Sequence, residues 1–468
     1  MIYLFFALWT ATAAAAAFFA RSRRTVHLLC TLHFTVHAAF AAMLLGGGLY
    51  GTSSGGFFTF DTAGTFFYLL MAVVATFVAL HSERYLRDDD LKTYRVYFAL
   101  LMMLTTAITG VYFADNMAVT WILMEATTLS AAGIIYHRRS EASLEATWKY
   151  LFVCSTGIAI AYLGILMLSA AVQNQSLDYA ALRTMVADGN PLYLKTAFLL
   201  ILTGYSCKME IFPLYTIGVD ANFAAPAPAS ALISTGLVNA GFLAIFRIYR
   251  LFAASEVFDW VRHVMILIGV LSLAVGALFL RRTNNYKRFL SYSTVENMGI
   301  AAIGLGVGGI GAWAAILHVA CHTLIKSSLF LQMAVVRQIY NGYRINRIGD
   351  YININRIGAI GMIVGMVAVL AFPPSPLFVS ELMILSQTLA DGAWWLAAVI
   401  VLLLCIVIYS ICYRIIKLCY QPNQDELHLS KIDSRLSYSA LTLLAAALVA
   451  GFWQPEPLRR IIDLIANM

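Results

Sequence analysis

Apolar residues run along this chain in long unbroken blocks, without the two-residue alternation of strands. The first seven blocks are Ile2–Ala20, Val26–Gly46, Ala63–His81, Val96–Phe113, Met117–Tyr136, Tyr150–Val172 and a seventh within Leu194–Ile217. The remainder are Ala227–Phe246, Val261–Leu280, Thr294–Val307, Ala312–Val336, a twelfth within Ile357–Leu389, Trp394–Ile416 and Tyr438–Trp453. A helix of roughly 20 apolar residues crosses the hydrocarbon of a bilayer. The pattern predicts an all-α polytopic membrane protein of about 14 transmembrane helices. The connecting segments, about 20 residues at most, are too short to bury a core of their own.

Two blocks are interrupted. The seventh contains Cys207-Lys208-Met209-Glu210-Ile211-Phe212-Pro213. The twelfth contains Phe372-Pro373-Pro374-Ser375-Pro376, followed by Phe378-Val379-Ser380-Glu381. Proline removes a backbone donor and clashes with the preceding turn, so both helices should break near mid-membrane. Broken backbone at that depth is tolerated only where protein buries it or water wets it. The breaks lie five helices apart. An odd separation predicts inverted repeats, helices 4–8 and 9–13, and paired breaks of this kind point to a transport site. The expected organisation is residues 1–95 for helices 1–3, 96–250 and 251–420 for the two repeats, and 421–468 for helix 14 and a short tail.

Composition supports lipid as the solvent: 61% of residues are hydrophobic, 12% are charged, and the mean hydropathy is +0.79. Soluble domains carry about twice that charge. The net charge of +7 reads as the bias of membrane topology, not as a nucleic-acid footprint, since no soluble module presents a basic face. With the N-terminus outside, the inner connections hold 22 of the 31 Lys and Arg residues. The bias favours both termini outside, although Arg247, Arg250 and Arg262 cluster on the opposite side. The first block is followed, not preceded, by Arg21, Arg23 and Arg24, so it reads as a retained helix and not a cleaved signal. The seven cysteines form no C-x-x-C pair and read as packing residues, with no iron–sulfur or zinc ligation by this chain.

Charge inside a helix bundle needs a reason. Glu125 sits in mid-helix, Lys208 beside the first break, Glu381 just after the second, and Lys326 inside helix 11. His318, His322 and Lys326 follow one another at intervals of four. They form one stripe of a helix about 12 Å long. Burial draws Lys, His and Glu towards neutrality, and a row of such groups with water between them is a proton relay. Other readings stand beside this one. Glu125 fits a structural ion pair, and His318 with His322 fits an i, i+4 metal site that lacks a third ligand. His27, His33 and His37 in helix 2 read as packing or interfacial residues, and Asp88-Asp89-Asp90 as a solvated turn.

The same residues carry a family resemblance. The chain resembles the antiporter-like membrane subunits shared by respiratory complex I, multisubunit cation/proton antiporters and membrane-bound hydrogenases, with the hydrogenase-4 component F type nearest. The resemblance rests on Leu144-Glu145-Ala146-Thr147-Trp148-Lys149-Tyr150-Leu151, Lys208 to Pro213, Ala225 to Leu232, Tyr286 to Gly299, and His318 to Lys326. With Glu125 and the helix 12 segment it spans residues 60–420. Glu at 381 and Val295-Glu296-Asn297 favour the hydrogenase side.

The resemblance implies two half-channels. In the first, Glu125 would be the acidic partner of Lys208, and Lys149 a modulating base. In the second, His318 and His322 would feed a relay with Lys326 and Glu381. Glu210, Asp220 and Glu296 are additional candidates. No cofactor is expected in this chain. Nickel–iron and iron–sulfur centres would sit in soluble partner subunits, other membrane subunits would lie beside it, and protons, or alternatively sodium ions, would be moved across a prokaryotic inner membrane. This makes it a non-redox subunit of a hydrogenase or formate-hydrogenlyase-like complex. A cation/proton antiporter or complex I-type subunit and a scaffold with a decayed channel are the competing expectations. The chain departs from the family where Tyr215-Thr216-Ile217-Gly218-Val219-Asp220-Ala221 replaces the usual His-Thr-Trp-Leu-Pro-Asp-Ala. Ser234 and Asn239 occupy a region where some members carry His, Glu210 stands where a small residue is usual, and no long lateral helix follows helix 14.

Overall fold

The computed structural model describes residues 2–47, 53–54, 56–173, 176–423 and 434–467. Among these the chain is helical almost throughout, with one short hairpin, Ser53–Ser54 against Phe58–Thr59. Lys431, part of the inner charge count, lies outside the described residues. Among the described residues, ten helices are long and apolar enough to cross a membrane.

The first helices are α1 (Ile2–Phe19), α2 (Arg23–Leu45), α3 (Thr62–Tyr85), α4 (Leu91–Phe113), α5 (Met117–Ile135) and α6 (Glu141–Val172). Polar residues start them. Ser22, Asp61, Asp90 and Asn116 each accept a hydrogen bond from an amide of the first turn, and Ser140 makes a capping box with Ser143. The acidic run at 88–90 is thus more than a solvated turn, since Asp90 starts α4 and Asp89 meets His137 at 2.8 Å. The Ser140 box also explains why α6 begins nine residues before its apolar block.

A short α7 (Tyr179–Met185) leads into α8 (Pro191–Met209), the first arm of the seventh segment. The break takes Glu210 to φ 57° and contains a cis Phe212–Pro213 bond; α9 (Thr216–Ala224) resumes the helix. Next comes a continuous run of α10 (Ala227–Leu232), a π turn at Ile233–Leu237, and α11 (Val238–Phe252). Then α12 (Phe258–Arg282), α13 (Tyr286–Val307) and α14 (Ile310–Tyr340) follow. The tenth segment was expected to start at Thr294. It starts at Tyr286, because Asn285 caps the amides of Lys287 and Arg288, and the polar stretch Tyr286–Ser293 is helical and largely buried.

After α15 (Tyr351–Ile354), the twelfth segment splits into α16 (Arg356–Val369) and α17 (Pro376–Ala390). Ala371 lies at φ 50°, Pro373–Pro374 is cis, and Ser375 Oγ donates to Ala368 O at 2.6 Å while accepting from Leu377 N. Both interruptions therefore fall where the prolines placed them. The chain ends in α18 (Trp394–Tyr420), α19 (Ser434–Phe452) and α20 (Glu456–Ala466).

The chain forms two compact units. One comprises residues 1–209, 216–229 and 236–261; the other comprises 210–215, 230–235 and 262–468. In the first unit, α6 and α8 are in backbone contact, since a Cβ at Gly204 would stand 2.6 Å from Ala161 N. On α11, a Cβ at Gly241 would stand 2.5 Å from Met209 N, so α11 presses directly on the end of α8. The second unit buries an aliphatic cluster that includes Leu273, Ile303, Val307, Ile384 and Ile400. Close packing through small residues suits a bundle whose surroundings are as apolar as its core.

Candidate functional site

In the first unit, α8 carries Lys208 on its last turn, buried to 2% exposure. Its ammonium donates to Thr128 Oγ1 at 2.7 Å, Thr127 Oγ1 at 3.2 Å and Tyr150 OH at 3.3 Å, and lies 5.3 Å from the Tyr150 ring centre. Glu125 stands on α5, one turn before Thr128. It accepts from Ser155 Oγ at 2.6 Å through Oε1, while Oε2 is buried without a hydrogen-bond partner. Lys208 and Glu125 do not meet as an ion pair; two threonines and a tyrosine hold the ammonium instead. Such a lysine is solvated by neutral oxygens and is not locked to a carboxylate.

Lys149, expected near this pair, lies on the exposed face of α6 and pairs with Glu145 at 2.5 Å. Its neighbour Tyr150 faces inward to Lys208. Asp220 is half-buried on α9.

In the second unit, the stripe on α14 is fully buried. Lys326 donates to Leu290 O of α13 at 2.7 Å. It lies within electrostatic range of Glu296 on α13 and of Glu210, which is 2% exposed. Glu296 accepts from Asn297 Nδ2 at 2.5 Å. Glu381 on α17 is 8% exposed and within electrostatic range of Glu296.

His318 Nδ1 lies 2.9 Å from Ser380 Oγ. The Ser380 hydroxyl also reaches Leu377 O at 2.9 Å; with its single proton there, His318 Nδ1–H is the donor and the lone pair falls on Nε2. That nitrogen has no hydrogen-bond partner among the described residues, nor has either nitrogen of His322. No group of three or more His, Cys, Asp or Glu side chains converges on one point among the described residues. The two histidines therefore lack the further protein ligands a structural metal site would need. Of the cysteines, Cys405 and Cys412 are exposed on α18, whereas Cys30, Cys154, Cys207, Cys321 and Cys419 are buried and free.

The partners missed from sequence are all hydroxyls and carbonyls: Thr127, Thr128, Tyr150, Ser155, Ser380 and Leu290 O. The run Glu125-Ala126-Thr127-Thr128 held the only readable clue, two hydroxyls within a turn of the acid.

A helix bundle with two broken helices and buried Lys, Glu and His defines an ion-handling membrane subunit. The chain belongs to the family described as NADH:quinone oxidoreductase/Mrp antiporter, transmembrane region, whose pattern matches residues 114–407. It is 30% identical over 353 residues to the hydrogenase-4 component F homolog of Methylacidiphilum infernorum (isolate V4), covering 72% of this chain and 73% of that protein. Its fold matches a chain of the archaeal membrane-bound sulfane sulfur reductase with a TM-score of 0.87, at 21% identity, over 100% of this chain and 96% of the other. It equally matches a chain of the Mrp complex from Dietzia sp. DQ12-45-1b, with a TM-score of 0.87, at 16% identity, over 99% and 96% of the two chains. It is an antiporter-like, multi-pass membrane subunit.

Proposed function

We propose that this chain translocates protons, as the non-redox subunit of a hydrogenase- or formate-hydrogenlyase-like membrane complex, through a relay in each unit. In the first unit the relay is Glu125 and Lys208. In the second it is Lys326, Glu296 and Glu381, joined by His318 and His322, with Glu210 beside Lys326. Asp220 is a candidate for the entry path of the first relay, and Lys149 acts on Lys208 only through α6. The two relays correspond to inverted repeats over residues 96–250 and 251–420, both termini facing outside. Soluble partners would carry the nickel–iron and iron–sulfur centres.

The observation that carries this reading is the way the lysines are buried. Lys208 and Lys326 are held by neutral hydroxyl and carbonyl oxygens, with acids near but not bonded to them. A buried charge without a tight counter-ion is costly in a membrane and marks an ion pathway. A small displacement of a nearby acid then changes the lysine's hold on its proton, which lets a remote redox step drive transport. Likeness to an Mrp chain supports the second reading, a cation/proton antiporter subunit.

The test is proton pumping in inverted vesicles holding the native complex, with Lys208→Ala and Lys326→Ala. Loss of pumping in an assembled complex supports the relay, and the co-purifying subunits then decide between a redox and an antiporter assembly. Unchanged pumping and turnover in both variants would make the chain a scaffold.

A further inference from the structure

Outside both relays, α1–α4 of the first unit enclose a second set of buried imidazoles. His33 and His37 lie one turn apart on α2, at 0% and 2% exposure, with ring centres 4.6 Å apart. His33 Nε2 is 3.1 Å from Thr105 Oγ1 of α4, and His37 Nδ1 is 3.1 Å from Tyr68 OH of α3.

The protons on these contacts can be assigned. Thr105 Oγ1 donates its single hydrogen to the backbone, towards Met102 O at 2.9 Å and Leu101 O at 3.1 Å. Tyr68 OH donates to His37 O at 3.0 Å. With their protons on these carbonyls both hydroxyls accept from the imidazoles, which places the His33 proton on Nε2 and the His37 proton on Nδ1. The remaining nitrogens, His33 Nδ1 and His37 Nε2, are bare acceptors, and among the described residues no group donates to either. This is the tautomer logic of His318, now in two neighbouring rings.

Two buried lone pairs on neighbouring rings call for one ligand that supplies two hydrogens. Water has two to donate, and a buried water bridges polar partners where the space between them admits one. A bare cation fits less well, because no third His, Cys, Asp or Glu ligand converges here among the described residues.

The aqueous phase nearest the site lies at the N-terminal end of α2. Beyond His37 the bundle is closed by Phe40, Phe60 and Phe113, with ring centres 4.9 to 6.0 Å apart. Towards the arginine-bearing end, α2 carries Cys30 and then half-exposed His27, which pairs with Glu83 of α3 at 3.2 Å. His27 precedes His33 by about 9 Å of helix. The other titratable groups facing this region are Tyr3 on α1, which donates to Thr106 O, His81 on α3, which meets Phe77 O, and Tyr94 and Tyr97 on α4. No charged residue occurs on α1.

We propose that His33 and His37 hold one water molecule between them, and that this site exchanges protons with the aqueous phase at the arginine-bearing end of α2. It is a blind branch: protons enter and leave by the same end. The proposal stands apart from the relays of Lys208 and Lys326.

The test is solid-state NMR of the full chain, labelled with 15N-histidine, in its native complex in bilayers. The expected result is His33 as the Nε2–H tautomer and His37 as the Nδ1–H tautomer, with polarisation transfer from water to both bare nitrogens. Both ring N–H groups should exchange with D2O within hours, and His33→Phe should abolish the water transfer to His37. Dry rings that keep their hydrogens for days in the wild type would overturn the proposal. So would stoichiometric displacement of both bare-nitrogen resonances by added copper(I) in a sample without water transfer, which would mark a metal site.

Discussion

At the scale of single residues, the solvation of Lys208 is the feature most open to experiment. Its shortest contact is Thr128 Oγ1 at 2.7 Å. Hydrogen bonds to charged groups contribute about 1.5–3 kcal/mol. Thr128→Val keeps the shape and removes the acceptor, so proton pumping should fall roughly tenfold or more while the complex remains assembled. Pumping at the wild-type rate in Thr128→Val would mean that the lysine has no role in the rate-limiting step. The residues bearing charge were legible because a charged side chain stands out in an apolar run. Their partners were not. Threonine, serine and tyrosine occur throughout helices without function, and only the crossing of α5, α6 and α8 selects Thr127, Thr128 and Tyr150 from the rest. Lys149 shows the reverse case: it stood in a recognisable motif, yet the helix turns it outward and brings Tyr150 in.

At the scale of elements, three arginines, two of which went against the topology count, have a structural task. Arg247 donates to Val111 O, Tyr112 O and Ala114 O at the end of α4 and pairs with Asp61 at 3.0 Å. Arg262 donates to Gly306 O at the end of α13, and Arg414 to Arg281 O and Thr283 O at the end of α12. Each satisfies carbonyls that a helix end leaves without partners. A count of charges cannot separate a cap from a topology signal. Arg247→Met should destabilise the protein by about 1.5–3 kcal/mol, and by more than Asp61→Asn, because it strips three carbonyls as well as one carboxylate. Thermal unfolding in detergent measures both, and the opposite order would refute the capping role.

Helix starts are a second case at this scale. The hydroxyl and amide of Thr93 hold the Asp90 carboxyl below its ordinary value of 3.8. A carboxylate depressed in the folded state lends its stability above the unfolded value and loses it as pH falls through the folded one. The first turn of α4 should therefore fray below pH 3.8. Hydrogen exchange along Lys92–Arg95 should show this in the wild type and no pH step in Asp90→Asn.

At the scale of the whole molecule, transport and stability pull apart. Lys326 is wholly buried and, among the described residues, keeps a single hydrogen bond, to Leu290 O. Replacing both members of a buried charged pair by apolar side chains of similar volume is often stabilising, by about 1–4 kcal/mol, whereas removing one member alone is not. Lys326→Met combined with Glu296→Met should raise the unfolding temperature of the complex while pumping is lost. A lower unfolding temperature would show that the ammonium serves structure. The helical membrane character and both breaks were visible in the sequence, since length, hydropathy and proline act locally; of about 14 expected passes, ten helices among the described residues are long and apolar enough to span. The starts of α6 and α13, the π turn at Ile233–Leu237 and the small helices α7, α15 and α20 were not. Caps and packing decide those, and neither leaves a mark in a hydropathy profile.

The contact of α6 with α8 through Gly204 has a mechanical consequence. Two helices whose backbones touch have no side-chain layer to shear, so they travel as one lever. Tyr150 rides on α6 and Lys208 on α8, so their mutual distance is fixed during any excursion of the pair. Thr127 and Thr128 sit on α5, outside the lever. The coordinate that switches the lysine's surroundings is therefore the gap between α5 and this pair, and a crosslink closing that gap would hold the first relay in one of its states.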